Sequence, residues 1–334
     1  MDLATRYLGL DLVSPLVASA SPLGQDSDTV EALADQGVGA LVMNSLFEEI
    51  IRREELVDSV LAEAGSDIFG EATSYLPAAE TGGSAVARYM RQLERAVQAS
   101  DMPVIGSING ATPGFWVDAA RQMVDAGVSA IELNIYSVPD LHIKGSAVEE
   151  YHLDILTLVK HTVDVPVAVK LSPFFSSTGA MAMSLDEAGA DGLVLFNRFQ
   201  QPDIDIERMT VSPGAFLSRS RDRLLPQTWI ALLRGEIRAS LAATSGVERS
   251  EDMVRYLLAG ADVVMSASAL LRHGPGYAGE LLNGLRAWMR RKGVTRVDEI
   301  RGRLAVGDRV DRSDYDRTGY VTALQQAQVT WPMR

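Results

Sequence analysis

The sequence predicts an α/β protein, a (β/α)8 TIM barrel with insertions after strands 2 and 6. Three observations lead there. Eight short apolar runs, rich in β-branched residues, recur along the chain and end in small or polar residues. Continuous apolar runs, unlike alternating ones, are the pattern of strands buried on both faces of a parallel sheet. Between them, Ala126-Gly127-Val128, Ala188-Gly189-Ala190-Asp191 and Ala259-Gly260-Ala261-Asp262 repeat one phrase: a helix, a closing glycine, a strand.

The strands are expected at Leu16 to Ser19, Ala40 to Asn44, Pro103 to Ser107, Ala130 to Asn134, Pro166 to Lys170, Gly192 to Asn197, Ser240 to Thr244 and Asp262 to Ser266. Helical patterns cover Asp28 to Gln36, Trp116 to Ala126, Val148 to Thr162, Gly179 to Ala188 and Glu251 to Leu258, and Tyr277 to Lys292 reads as a closing helix. Phe47 to Ser100 and Arg198 to Pro226 do not fit a minimal barrel. Both follow strand C-terminal ends, where barrel enzymes build their sites, so they read as a lid or substrate loop. No linker divides the chain, which is expected to form one domain over residues 1–334, with the barrel core at about 7–292 and a polar tail at 293–334.

Composition narrows the chemistry. The chain has no Cys, which removes disulfides, iron–sulfur clusters, thiolate zinc sites and a Cys nucleophile together. A net charge of −13 argues against a nucleic-acid partner. The N-terminus lacks the pattern of a signal peptide, and the apolar stretch from Leu257 to Leu271 is interrupted and too short to span a membrane. A cytoplasmic protein with a small-molecule substrate is expected. The four histidines are not spaced as a metal set, and His152 and His161 read as surface residues of one helix. No metal is predicted.

The C-terminal ends of barrel strands face the site whatever the chemistry. Here they carry Ser19, Asn44, Ser107 with Asn109, Asn134, Lys170, Asn197, Ser245-Gly246 and Ser266 to Ser268. One Asn in such a place could cap a helix. Four of eight strands ending at or near Asn suit the edges of a planar heterocycle, which amides read with one acceptor and two donors. A Lys ending a buried strand needs an anion or a developing negative charge. The alternative for Lys170 is a salt bridge to a neighbour such as Glu132. Small residues after strands 7 and 8 let backbone N–H groups approach a phosphate. Together these features suggest a phosphorylated heterocyclic cofactor. FMN fits, although spacing alone does not separate it from other phosphate ligands.

Val128 to Pro139, with Glu132-Leu133-Asn134-Ile135-Tyr136-Ser137, resembles the dihydroorotate dehydrogenase motif in which an Asn precedes the active-site base by three residues. Val167 to Pro173 resembles that family's flavin Lys strand, and Leu195-Phe196-Asn197 its sixth-strand Asn. The resemblance runs from about Tyr7 to Trp288. Asn197-Arg198-Phe199-Gln200-Gln201-Pro202-Asp203 and Ala269 to Pro275 resemble a divergent dihydroorotate dehydrogenase-like branch.

The resemblance implies an FMN-dependent oxidoreductase of CH–CH bonds, linked to pyrimidine biosynthesis and forming a homodimer. It implies flavin contacts from Ser19, Ala20, Asn44, Asn109, Asn134 and Lys170, with Lys170 near N1 and O2, and a phosphate site of Ser245, Gly246, Ala267 and Ser268. Asn134 and Asn197 would meet substrate, and Ser137 falls where the family places its Cys or Ser base. Departures concern the substrate: Asn44 stands where the soluble class usually has Lys, and Val138-Pro139-Asp140 follows Ser137 where Pro-Asn is usual. An inward Asp140 would repel a substrate carboxylate, and dihydroorotate is expected to be a poor substrate. Tyr136 and Phe199 could shape a more apolar pocket. Two other readings stay open: a flavin-free lyase or isomerase using Lys170, and a non-catalytic flavin-binding barrel.

Overall fold

Every predicted apolar run forms a strand in the computed structural model, which describes residues 1–54, 56, 84–136, 140–198, 202–212, 217–307, 310, 312–315 and 317–330. The strands are β1 (Leu16–Ala18), β2 (Ala40–Val42), β3 (Val104–Asn109), β4 (Ala130–Asn134), β5 (Val167–Leu171), β6 (Gly192–Leu195), β7 (Ser240–Ala243) and β8 (Val263–Ser266). Each pairs in parallel with the next, and β8 pairs with β1, so the sheet closes on itself. A two-residue strand, Leu46–Phe47, adds along the upper part of β3.

Helices alternate with the strands: α1 (Ser27–Asp35), α2 (Ala85–Ala99), α3 (Pro113–Asp125), α4 (Gly145–Lys160), α5 (Thr178–Glu187), α6 (Leu224–Leu233) and α7 (Ser250–Ala259). After β8 come a short α8 (Ser268–His273) and the closing α9 (Tyr277–Lys292), with α10 (Arg317–Thr330) in the tail. The repeated glycines work as expected. Gly127 and Gly189, just past α3 and α5, take φ of +92° and +93°, a left-handed turn that costs glycine little.

The two expected insertions need correction at their far ends. Ala85–Ala99 and Leu224–Leu233 are barrel helices, each covering its own strand. Their patterns merged with the polar excursions before them, which hid them in the sequence. The polar tail is also shorter than expected. Val294, Val297 and Ile300 are buried, and Gly302 N–H donates to Leu257 O at 2.9 Å, so the chain beyond α9 packs back onto the barrel.

An unpredicted hairpin, Thr5–Tyr7 with Leu10–Leu12, plugs the N-terminal end of the barrel. Its Tyr7, Leu8 and Leu12 cluster with small buried residues of the surrounding strands, including Ala40, Ala130, Ala168 and Ala242. The small side chains leave the room that the plug fills. Leu8 N–H donates to Ser240 Oγ at 3.2 Å, and a Cβ on Gly192 would lie 2.5 Å from the Leu8 side chain. The other barrel end stays polar and open.

At that open end, residues 48–54 are helical, and Glu48 caps a different helix. Thr112, the N-cap of α3, makes no side-chain cap bond of its own. Glu48 instead accepts from Ala111 N (2.6 Å), Thr112 N (2.9 Å) and Thr112 Oγ1 (2.7 Å), and pairs with Arg52 at 2.6 Å. Burial pushes the Glu48 carboxyl up, but these hydrogen bonds and the Arg52 charge outweigh it and hold the pKa below its ordinary value.

Two outcomes follow from this packing. Leu8→Ala should lower stability by about 2–5 kcal/mol in urea unfolding, because the plug loses its fit. Glu48 contributes stability that is complete above the ordinary Glu pKa of about 4.3 and is lost as pH falls through the lower folded value. Glu48→Gln should therefore be less stable at pH 7 by about 1–2 kcal/mol and show a flatter loss between pH 5 and pH 3, read as urea midpoints.

Candidate active site

The pleat that buries alternate strand residues outward turns the others into the barrel. On β4, Glu132 and Asn134 point the same way, and on β5 Lys170 sits directly beside Asn134 in the strand register. Lys170 Nζ lies 3.2 Å from Glu132 Oε1, and both side chains are buried. The salt bridge weighed as an alternative for Lys170 is thus present. It leaves Glu132 Oε2 without a partner.

A hydrogen-bonded chain runs above this pair. Ser107 and Ser45 hydroxyls are 2.8 Å apart, Asn134 Nδ2 donates to Ser45 Oγ at 3.0 Å, and Asn197 Nδ2 donates to Asn134 Oδ1. The chain fixes which way each amide faces. Tyr89, from α2, donates to Asn44 O at 2.8 Å and holds the end of β2. Burial pushes its hydroxyl pKa well up. Ser45 and Tyr89 were not among the expected site residues. Ser45 follows Asn44 directly and was within reach of the strand-end argument, whereas nothing in the sequence marks Tyr89.

A cavity of about 300 Å³ opens beside the chain at the C-terminal face. It brings Ser19, Ala20, Lys170 and Asn197 together with the loops after β7 and β8, through Ser245, Ala267 and Ser268. Asn44, Asn109, Asn134 and Gly246 do not line it. Asn134 reaches it through Asn197, and Asn109 is buried at the end of β3 beside Phe47. Ser137 and Phe199 lie outside the described residues.

Besides Glu132 Oε2, two further buried polar atoms at this end have no partner among the described residues: Ser21 Oγ, which lines the cavity, and Asn44 Oδ1. Ser245 and Gly246 both have left-handed φ, 75° and 70°, and a Cβ on Gly246 would lie 2.5 Å from Arg223 N. Tyr256 fixes this turn by donating to Thr244 O (3.1 Å) and Ser245 O (2.7 Å). Residues 217–223, the far leg of the excursion after β6, dock on the same loops. Ser218 N and Oγ meet Ser268 Oγ at 2.9 and 3.0 Å, and the buried Asp252 accepts from Ser220 Oγ at 2.7 Å.

One expectation fails here, and one stated condition is not met. His152 is buried, not on the surface: Nδ1 contacts Val148 O at 2.7 Å and the ring meets Phe175 edge-on, while His161 is exposed as expected. Burial holds its pKa below the usual histidine value. Asp140 does not enter the site. It is exposed and accepts from His142 N–H at 2.8 Å, closing a local turn. A larger hollow of about 900 Å³ lies at the opposite barrel end, where Arg234 pairs with Asp262 at 2.9 Å and Arg238 with Asp186 at 3.7 Å, a seal of mutually paired charges. Among the described residues no His, Asp or Glu cluster could hold a metal ion, and no helix is long and apolar enough to cross a membrane.

Residues 75–289 match the family model for dihydroorotate dehydrogenase. A protein of Thermoplasma volcanium named dihydroorotate dehydrogenase B (NAD(+)), catalytic subunit, is 27% identical over 309 residues, covering 90% of this chain and 98% of the relative. A catalytic subunit of the same name from Methanosarcina mazei is 27% identical over 301 residues, 88% of this chain and 92% of its own. A putative dihydroorotate dehydrogenase A (fumarate) of Aeropyrum pernix is 32% identical over 220 residues, 64% of this chain and 71% of its own. A closed parallel barrel, a lysine beside an asparagine inside its mouth and a family match over most of the chain agree: this chain belongs to the dihydroorotate dehydrogenase family, FMN-dependent oxidoreductases acting on CH–CH bonds.

Proposed function

We propose that this chain oxidises the CH–CH bond of dihydroorotate, or of a closely related carbonyl-conjugated compound, with one non-covalently bound FMN. The observation that carries the reading is the hydrogen-bonded amide pair Asn134–Asn197 at the barrel mouth, with the buried Lys170 cation beside Asn134 on the neighbouring strand. FMN, when bound, accepts the hydride at N5.

The residues present suit that group. Ser21 Oγ and Asn44 Oδ1 are buried polar atoms that lack a protein partner, and an orphan of that kind costs stability unless a ligand or water meets it. Lys170 with Asn134 would hold the pyrimidine edge, and Ser19, Ala20, Asn44 and Asn109 the ring. The loops carrying Ser245, Gly246, Ala267 and Ser268 would hold the phosphate.

Lys170 places a fixed positive charge, in a site screened from water, where negative charge develops during reaction. Glu132 keeps that ammonium in position and balances it at rest. Asn197, oriented through Asn134, presents its remaining amide groups to the substrate. Ser137 Oγ is assigned the proton next to the carbonyl, by resemblance. Asp140 turns away from the site, so the repulsion that an inward Asp140 would exert on a substrate carboxylate has no source there. A homodimer in the cytoplasm completes the reading, supported by family resemblance.

Denatured, purified protein should release about one FMN per chain, and dihydroorotate should bleach the bound flavin under anaerobic mixing, a reversal of the expected poor turnover, which rested in part on an inward Asp140. Absence of flavin, with no uptake of added FMN, would sink the oxidoreductase reading. Lys170→Ala alone should also destabilise the fold by about 3–5 kcal/mol, because Glu132 is left buried and unpaired. Adding Glu132→Gln should restore most of that stability while flavin reduction stays slower by about 10²- to 10³-fold. A double variant that reduces at the normal rate would make the pair purely structural.

A further inference from the structure

Two cations line the mouth cavity, and they differ in one respect. Lys170 is balanced by Glu132. Arg198 is exposed and makes no ion pair or hydrogen bond among the described residues. None of the described residues lining this cavity is acidic. With Lys170 neutralised, Arg198 is the uncompensated charge among the described residues that line the cavity.

Its position is fixed from below. Arg198 follows Asn197, whose backbone N–H donates to Leu171 O at 2.6 Å and whose side chain donates to Asn134. The side chain therefore starts beside the amides assigned to substrate, at the end of β6. The loops assigned to the phosphate follow β7 and β8. A guanidinium there offers a planar fork of donors that matches a carboxylate, over the reach of a long side chain.

We infer that Arg198 is the substrate-anion receptor of this site: it takes a carboxylate carried by the compound being oxidised, and selects anionic over neutral ring substrates. This rests on the oxidoreductase reading above and adds the charge of the substrate to it. Discrimination then comes from one charge-assisted contact in place of a set of neutral amide bonds.

The test compares orotate with uracil, the same ring without the carboxylate, by calorimetric titration of the flavin-loaded protein. Wild type should bind orotate about 10- to 100-fold more tightly than uracil, the range a hydrogen bond to a charged group supplies. Arg198→Gln should erase that preference while uracil affinity, FMN content and melting temperature stay unchanged. Arg198→Lys should retain part of it. The inference is overturned if Arg198→Gln keeps the preference, or if wild type has none. It is equally overturned if Arg198→Gln loses FMN, which would assign the guanidinium to the cofactor phosphate. Calorimetric ranking needs no turnover, so it decides Arg198 even if dihydroorotate fails to bleach the flavin, an outcome that counts against the oxidoreductase reading alone.

Discussion

Closure of the parallel sheet is the constraint on which this molecule depends. Once β8 pairs with β1, every strand has two neighbours and every C-terminal end opens on one mouth. Backbone groups are then satisfied within the sheet, and only side chains are left to define the two ends. One end is sealed by the Thr5–Leu12 hairpin and its apolar residues. The other keeps Ser45, Ser107, Asn134 and Asn197 in one hydrogen-bonded chain, with Lys170 beside Asn134 in the strand register, although they come from five separate parts of the chain.

Charge at the mouth is arranged at two depths. Deep in the barrel, the Lys170–Glu132 pair is nearly free of solvent and close to neutral as a unit. Burying one such ion alone would be severely unfavourable, so each member is kept by the other. Nearer the surface, Arg198 has no such balance among the described residues. A buried, compensated cation suits charge that develops during reaction, whereas an exposed, uncompensated one suits charge that the ligand brings with it.

Side chains far from the cavity hold its loops. Tyr89 and Tyr256 each reach from a helix to the carbonyl groups at a strand end, and Glu48 caps α3 from across the sheet. Asp252 ties the excursion after β6 to the β7 loop. These contacts rigidify the turns that carry the site, which is what precise placement of a ring cofactor requires.

How much of this was legible follows from the range of each interaction. The eight strands, five of the intervening helices and the closing helix were readable to within about a turn, because continuous apolar runs, 3.6-residue periodicity and closing glycines are local signals. Strand-end Asn, Lys and Ser were readable too, since position on a barrel strand fixes where a side chain faces. The helices Ala85–Ala99 and Leu224–Leu233 were masked by the polar segments joined to them. Burial of His152 against Phe175 and the hairpin plug depend on partners distant in sequence. By itself the sequence determined the repeating unit and the residue types around the mouth, because both are written in neighbours along the chain. Only the tertiary structure decided which of those residues touch, that Glu132 compensates Lys170, and that Arg198 has no acidic partner among the described residues, because charge balance is set by distances across the closed barrel.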